Sequence, residues 1–222
     1  MSFHYYRDQI LSPSDADAVR DELISATDWE DGQLTAGKYI KDQKVNKQLR
    51  IGSRIQKKLS REIYQALDSN EKFCARLLPS SYTPVLFSKT VKGGYYKWHY
   101  DNPIMGDPPI RVDASFTVAL SDPEDYEGGK LCIQGGPKVK LNKGEILVYP
   151  SDHRHQVSTV TSGTRYVAVG WISCLIRDQD IRNIITNLYE VQETLCRTQG
   201  FEGFESLKVL GAITTLKRKF SL

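Results

Sequence analysis

Apolar residues recur every three to four positions in two stretches near the start of the chain, which is the spacing of a helix with one buried face. The first stretch follows Ser12 and Pro13, residues that suit the cap and the first position of a helix. The second predicts a helix over residues 48–69, with an apolar residue at every fourth position from Ile51 onward. Residues 28–47 lie between them and are polar and glycine-bearing, which indicates a loop that can include a short strand.

After Pro79 the pattern changes to short segments separated by glycine, proline, asparagine and aspartate, as is typical of strands joined by turns. Glu127-Gly128-Gly129-Lys130 is predicted to turn a hairpin, because glycine adopts backbone angles that other residues avoid. About eight short strands suit two facing sheets arranged as a jelly roll. The predicted strands are 85–87, 94–101, 112–120, 130–133, 137–141, 145–149, 154–159 and 164–172.

The helical spacing returns at Asp178 and continues to about residue 198, and a short helix with a basic tail is predicted after it. The predicted fold class is therefore mainly β with flanking α, a jelly-roll core packed with N- and C-terminal helices. The C-terminal helices are candidates for a homodimer contact. The predicted divisions are a helical part (1–78), the core (79–177) and a helical extension (178–222).

Composition narrows the class of protein more than it narrows the function. The 222 residues, of which 40% are hydrophobic and 26% charged, suit one globular domain with extensions. The net charge of +3 is only mildly basic, so neither a nucleic-acid partner nor a membrane surface is expected. No apolar run approaches the ~18 residues of a membrane span, and the first residues lack the apolar core of a signal peptide.

Cysteine usage points to a reducing compartment. The four cysteines are far apart and form no C-x-x-C pair, which argues against zinc-finger and thioredoxin-type chemistry. We therefore expect free thiols and a cytoplasmic location.

An imidazole and a carboxylate stand two residues apart in an aromatic-rich segment. Alternate side chains of a strand point to one face, so His99 and Asp101 would converge on one point. A non-haem Fe(II) site uses two histidines and one carboxylate, and therefore needs a second histidine from elsewhere. His155 is preferred because Val157 continues its strand face, but His153 shares that parity and stays an alternative.

Such an iron site leaves three coordination positions open for a co-substrate and dioxygen. An acidic co-substrate such as 2-oxoglutarate has a distal carboxylate, which the fixed and always charged fork of an arginine can hold. Arg165 follows a turn downstream of His155 and is the candidate for this role. Thr117 shares a predicted strand face with Ser115 and Ala119, and is a candidate for lining the co-substrate end.

Several aromatic residues near the proposed ligands are assigned to the core, because aromatic side chains stabilise mainly through burial. Tyr96 stands three positions before His99, so a regular strand would point it to the opposite face. The aromatic residues assigned to the core are Tyr95, Trp98, Tyr100 and Trp171.

A set of short motifs is distributed over most of the chain. They are Leu11-Ser12-Pro13, Tyr96-x-x-His99-x-Asp101-Asn102, Leu120-Ser121-Asp122-Pro123, Tyr126-x-Gly128-Gly129, Val139-Lys140-Leu141, Leu147-Val148-Tyr149-Pro150-Ser151, Val160-Thr161-x-Gly163-x-Arg165, Trp171-Ile172 and Arg177-Asp178. In these motifs the chain resembles the PKHD-type hydroxylases, a bacterial group of Fe(II)- and 2-oxoglutarate-dependent oxygenases related to prolyl hydroxylases. The resemblance implies a double-stranded β-helix core with flanking helices. It places the third iron ligand on His155 rather than His153, and the co-substrate anchor on Arg165.

The resemblance also implies a reaction, the hydroxylation of a prolyl or other residue of a protein with release of succinate and carbon dioxide. Ascorbate is the implied reductant. Asp101 favours hydroxylation, since related halogenases lack this carboxylate. The chain departs from the family at Thr90, where a longer tyrosine is usual, and at the proline-rich residues 103–110, which are expected to shape the substrate mouth.

Two other functions remain open from the sequence. One is a non-catalytic jelly-roll module that senses iron or 2-oxoglutarate, and the other is an oxygenase that acts on a small molecule or nucleobase. The absence of a marked basic groove signal weakens the nucleobase version. Succinate release coupled to oxygen use would separate an enzyme from a sensor.

Overall fold

The structure is a computed structural model that describes residues 5–37 and 40–221. The α-helices of this part of the chain are α1 (Pro13–Ser25), α2 (Arg54–Ser69), α3 (Glu71–Leu77), α4 (Gln179–Gln199) and α5 (Phe204–Phe220). Its strands are β1 (Tyr6–Gln9), β2 (Trp29–Asp31), β3 (Lys44–Val45), β4 (Lys47–Leu49), β5 (Pro79–Tyr82), β6 (Leu86–Val91), β7 (Tyr95–His99), β8 (Ile104–Met105), β9 (Ile110–Arg111), β10 (Ala114–Ala119), β11 (Tyr126–Gly128), β12 (Leu131–Ile133), β13 (Lys138–Val139), β14 (Glu145–Pro150), β15 (His155–Val157) and β16 (Val160–Cys174).

Two antiparallel sheets form the core of the fold. The larger sheet runs β1-β14-β10-β16-β6-β4-β2, and β5 and β11 also pair with the long strand β16. The smaller sheet runs β13-β12-β15-β7-β3, while β8 and β9 form a separate hairpin. Each of the eight strands predicted after Pro79 is present with shifted ends, so the predicted β core with flanking helices is confirmed.

The hairpin predicted at residues 127–130 is wrong, because β11 and β12 do not pair with each other. β11 pairs with β16 of the larger sheet, whereas β12 pairs with β13 and β15 of the smaller sheet. Gly128 has a φ of 73°, and a Cβ on it would lie 2.0 Å from the carbonyl oxygen of Thr159. The glycine pair therefore lets the chain cross from one sheet to the other beside a closely packed backbone.

The helix predicted over residues 48–69 begins later than expected. Residues 47–49 form β4, and α2 starts after Ser53, whose side chain accepts a hydrogen bond from the backbone N–H of Gln56. Ile51 lies in the connecting turn with 47% of its surface exposed, although its spacing matched the buried helix face. Ser53 is a better start signal than the apolar spacing, because a cap satisfies helix N–H groups that otherwise lack partners.

The buried face of α2 offers a direct test of this boundary. Leu59 is fully buried between α1 and the larger sheet, so Leu59→Ala is expected to lower the free energy of unfolding by about 2–5 kcal/mol. Ile51→Ala is the matched control and is expected to change it by less than about 0.5 kcal/mol. Urea unfolding followed by circular dichroism measures both values, and equal losses would contradict the assigned start of α2.

The terminal parts of the chain pack on the β core. Residues of α1, α2 and α3 share one buried cluster with the face of the larger sheet that points away from the smaller sheet. The predicted C-terminal helices are present as α4 and α5, and these pack through Ile185 and Ile213 against Leu78 and Ile176. The divisions at residues 78 and 177, and a homodimer through α4 and α5, stay predictions.

Within the part of the chain that the structure describes, no helix combines the length and the apolar character required to cross a bilayer.

Candidate metal centre

Strand pairing brings together the three residues that the sequence singled out as metal ligands. His99 is the last residue of β7, and His155 is the first residue of β15. The two strands pair in the smaller sheet with His99 directly opposite His155, and their ring centroids lie 4.2 Å apart. Asp101 follows two residues after His99, just beyond the end of β7.

The three side chains converge on one point. Nε2 of His99 lies 3.9 Å from Oδ1 of Asp101, and Nε2 of His155 lies 3.7 Å from Oδ2. One potential ligand atom from each residue lies within 4.8 Å of the others. The side chains are only 4%, 7% and 6% exposed for His99, Asp101 and His155, so water competes little for this space.

Backbone carbonyls orient both imidazoles for metal binding. Nδ1 of His99 lies 2.8 Å from the carbonyl oxygen of Lys97, and Nδ1 of His155 lies 2.9 Å from that of His153. A carbonyl can only accept, so each Nδ1 carries the proton and each Nε2 keeps its lone pair. Two such imidazoles and a carboxylate are the donor set of a facial Fe(II) site, and the residues therefore fit the metal.

The electrostatic surroundings keep His99 ready to bind a cation. Burial, together with the neighbouring His155, lowers the pKa of His99 to about 4. The imidazole is therefore neutral at physiological pH. A metal ion then takes up the Nε2 lone pair without first displacing a proton.

His153, the alternative third ligand, lies outside this group. Its ring makes an edge contact with Tyr5, at 5.9 Å between centroids, and its Nδ1 lies 3.3 Å from the carboxylate of Asp152. Its contribution to the centre comes from its backbone carbonyl, which orients the ring of His155. The strand parity of the two histidines could not reveal this difference, because His153 lies in the turn before β15.

Two side chains of the larger sheet hold Asp101 in place. The hydroxyl of Ser115 donates to Oδ2 of Asp101 at 2.6 Å, and Nε1 of Trp171 donates to the same oxygen at 2.8 Å. The assignment of Trp171 to the core is therefore wrong. The indole N–H of a half-buried tryptophan needs a hydrogen-bond acceptor. This requirement is the signal that could have identified Trp171 as a partner of a polar group.

The hydrogen bond from Trp171 is expected to tune metal affinity. Trp171→Phe removes the donor while keeping an aromatic ring, and it should weaken metal binding by about 10–100-fold. Titration with Zn²⁺, a redox-inert divalent ion, measures the change. Trp98→Phe is the matched control because Trp98 lies beside Arg154 on the other side of the smaller sheet, and it should leave affinity unchanged.

Tyr96 is on the same side as His99, contrary to the expectation for a regular strand. Its ring stacks on the ring of His99 with centroids 3.5 Å apart. The pairing of β7 with β15 shifts in register: His99 lies opposite His155, while Tyr96 lies opposite Val157. This bulge places an extra residue in β7 and turns Tyr96 toward the metal centre.

The other aromatic residues assigned to the core behave differently from one another. Tyr100 is 61% exposed, so its assignment is wrong. Tyr95 and Trp98 are half-buried, and Tyr95 lines the cavity beside the metal centre. Tyr95 and Trp98 lie within β7 and Tyr100 lies just beyond its end, so each has a different environment, which residue type alone does not specify.

A single cavity between the two sheets contains the three candidate ligands. Arg165 on β16 is buried within it, and Thr90 lies directly opposite on β6. Burial lowers the pKa of Arg165, and its electrostatic partners are the phenols of Tyr126 and Tyr149. Among the residues that the structure describes, no carboxylate forms an ion pair with this guanidinium, which leaves it available to an acidic ligand.

Thr117 also lines the cavity, on β10, with 3% of its surface exposed. It interacts with the buried hydroxyl of Tyr149, whose pKa is raised well above its usual range by burial and by the charge of Asp101. Ala119, on the same face of β10, packs instead in an apolar cluster with Leu131. The sequence did not single out Tyr149 as a cavity residue, although a tyrosine within a buried strand requires a polar partner.

Sequence comparison finds the same type of protein that the geometry suggests. Residues 85–173 match the family model described as the 2OG-Fe(II) oxygenase superfamily. A PKHD-type hydroxylase of Gloeothece citriformis is 39% identical over 194 residues, which cover 86% of this chain and 87% of the relative. A PKHD-type hydroxylase of Acidovorax ebreus is 36% identical and covers 82% of each chain.

Solved structures share the fold at lower sequence identity. A Pseudomonas putida prolyl-4-hydroxylase superposes with a TM-score of 0.55 at 17% identity, over 77% of this chain and 92% of that one. HygX from Streptomyces hygroscopicus, solved with nickel and 2-oxoglutarate, gives a TM-score of 0.51 at 14% identity over 77% and 83%. The fold is thus that of the jelly-roll oxygenases, and the chain belongs to the PKHD-type hydroxylases of the 2OG-Fe(II) oxygenase superfamily.

Proposed function

We propose that this enzyme hydroxylates a prolyl or other residue of a protein, using Fe(II), dioxygen and 2-oxoglutarate and releasing succinate and carbon dioxide. One observation carries the proposal. A buried histidine–aspartate–histidine group and an arginine without a carboxylate partner among the described residues line the same cavity. A metal ion and a dicarboxylate need these two features together.

Each residue of the cavity has a role in this proposal. His99, Asp101 and His155 would hold Fe(II), and Ser115 and Trp171 keep Asp101 aimed at it. When bound, the metal supplies the activation of dioxygen that is coupled to loss of carbon dioxide from 2-oxoglutarate.

The opposite end of the cavity suits the co-substrate. Arg165 would pair with the distal carboxylate of 2-oxoglutarate, and Thr117 would line that end beside Tyr149. Burial strengthens such a pair because little water competes for the charges. Thr90, where the family usually has tyrosine, leaves more space opposite Arg165, and Tyr149 offers a buried hydroxyl nearby.

The surface around Asp101 supports a polypeptide substrate. Tyr100, 61% exposed, directly precedes Asp101 in the chain, and Ile104, 63% exposed, follows it by three positions. Ile104 belongs to the β8–β9 hairpin, within the proline-rich segment that the sequence analysis assigned to the substrate mouth. Exposed apolar side chains beside a reactive cavity suit a partner that buries them.

The test incubates the Fe(II)-loaded protein with 2-oxoglutarate, dioxygen, ascorbate and, in separate samples, the peptide fraction and the small-molecule fraction of a lysate. We expect succinate release that depends on the peptides, and peptides that gain the mass of one oxygen. Asp101→Ala is the control and should show neither. Binding of iron and 2-oxoglutarate without succinate would indicate a sensor, and oxygen gain only in the small-molecule fraction would contradict the polypeptide substrate.

A further inference from the structure

A buried lysine from the N-terminal part of the chain reaches the same cavity. Lys44 is in β3, at the edge of the smaller sheet, and pairs with Tyr96 of β7. It is only 5% exposed and lines the cavity together with the candidate metal ligands. Lysine is rarely buried to this degree unless its charge has a partner.

The ammonium group of Lys44 has neutral partners. Its Nζ donates to Oγ1 of Thr35 at 2.9 Å, and Thr35 donates in turn to the side chain of Gln48. The same Nζ lies 5.0 Å from the centroid of the Tyr96 ring. Within the described ranges, no carboxylate forms an ion pair with it. A buried ammonium can donate three hydrogen bonds, so one hydroxyl leaves it poorly compensated.

Lys44 nevertheless carries a positive charge over much of the physiological range. Burial lowers its pKa to about 8, while the charges of Asp101 and Asp31 oppose that decrease. At neutral pH most molecules are therefore protonated. An anion placed against Nζ would stabilise this form and raise the pKa again.

The charges that line the cavity indicate which charge a further ligand would carry. Lys44 and Arg165 each contribute one positive charge, and Asp101 contributes one negative charge. The two positive charges of a divalent metal ion and the two negative charges of 2-oxoglutarate sum to zero. One positive charge therefore remains when both are bound, and it belongs to Lys44 because Arg165 is committed to the co-substrate.

We propose that Lys44 binds a carboxylate of the substrate, so that the enzyme selects a molecule with an acidic group close to the carbon that is hydroxylated. This inference rests on the proposed function, since it assigns Arg165 to 2-oxoglutarate. The carboxylate could come from an acidic side chain of a polypeptide or from a small carboxylic acid. Both sources offer the charge and the hydrogen-bond acceptors that Nζ requires.

The test uses protein labelled with ¹³C at the lysine ε-carbon, loaded with Zn²⁺ and 2-oxoglutarate, and titrated with acetate. Lys44→Met removes one signal and so assigns Lys44. We expect the Lys44 signal to shift and saturate with acetate, and to stay in place with acetamide, the neutral counterpart. Lys89 is the internal control, because it lies over Trp29 and Tyr166 outside the cavity.

Calorimetry of 2-oxoglutarate binding to Lys44→Met checks which ligand the lysine serves. We expect affinity to stay within about twofold of the unchanged protein. A loss of about tenfold or more, the cost of removing a charged hydrogen bond, would overturn the proposal and assign Lys44 to the co-substrate. A Lys44 signal that acetate does not move would overturn it as well.

Failure of the proposed function would look different. In that case the unchanged protein would release no succinate, whether or not it binds Zn²⁺ and 2-oxoglutarate, whereas acetate would still move the Lys44 signal. Two further titrations separate the sources of the carboxylate. A blocked peptide with aspartate beside proline represents polypeptides, N-acetylproline represents small acids, and the one that saturates the Lys44 signal at lower concentration identifies the source.

Discussion

Replacing His155 with alanine is expected to abolish metal binding at neutral pH, and His99→Ala should do the same. Each imidazole supplies one of three ligand atoms that lie within 4.8 Å of one another. Loss of either leaves two ligands, one of them the buried carboxylate of Asp101. Metal analysis after dialysis and calorimetric titration with Zn²⁺ measure the effect without requiring turnover.

The neighbouring histidine provides the matched control for this experiment. His153→Ala should largely preserve metal binding, because the ring of His153 lies beside Tyr5 and only its backbone carbonyl holds His155. Alanine keeps that carbonyl. Equal losses of metal from His153→Ala and His155→Ala would refute the assigned ligand set, and with it the interpretation of this cavity as an oxygenase site.

Arg165→Ala is expected to weaken 2-oxoglutarate binding by about 100-fold while metal affinity stays the same. The guanidinium is buried, so its loss removes charge-assisted hydrogen bonds of about 1.5–3 kcal/mol. It also leaves the distal carboxylate of the ligand unpaired in a site with little water. Calorimetric titration of the Zn²⁺-loaded protein with 2-oxoglutarate gives the affinity directly.

Two further substitutions show whether the loss of 2-oxoglutarate affinity is specific to Arg165 and to its planar guanidinium. Arg154→Ala removes an arginine that lies over Trp98 outside the cavity, and should leave 2-oxoglutarate affinity unchanged. Arg165→Lys keeps a charge but loses the planar fork, so an intermediate affinity is expected. If Arg165→Ala bound 2-oxoglutarate as well as the unchanged protein, the co-substrate end of the cavity would have to be placed elsewhere.

Thr90 contributes to the shape of the cavity next to Arg165, the residue that we propose binds the co-substrate. It lies opposite Arg165 at the place where the family usually carries a tyrosine, and it is only 3% exposed. A side chain as short as threonine leaves room in the cavity beside the guanidinium of Arg165. Tyr149 lies on another strand, and its buried hydroxyl interacts with Thr117. It is placed to make part of the contact with the co-substrate that we assign to the tyrosine of other family members.

Local pattern was sufficient for most elements of the core and for two of the three candidate ligands. Alternation and turn residues predicted the eight strands of the core, and helical spacing predicted α1, α4 and α5. The pair His99 and Asp101 could be recognised from its spacing alone, because two positions on a strand share a face. The resemblance to a family, not the spacing, selected His155 over His153.

Local pattern failed wherever a contact between distant segments decided the outcome. Strand periodicity pointed Tyr96 away from His99, but a bulge against β15 turned it back. Hydrophobicity assigned Trp171 to the core, but its N–H reaches Asp101, 70 positions away in the chain. The burial of Lys44 depends on the pairing of β3 with β7, which no spacing in the polar segment 28–47 revealed.

The sequence by itself therefore determined the type of fold, the candidate metal ligands and the arginine that we propose for an acidic co-substrate. These follow from residue identity and from periods of two and 3.6 residues, which are properties of short segments. Only the tertiary structure decided which groups support the ligands and which charge is left over in the cavity. Those depend on burial and on register between strands, and both arise when remote parts of the chain pack together.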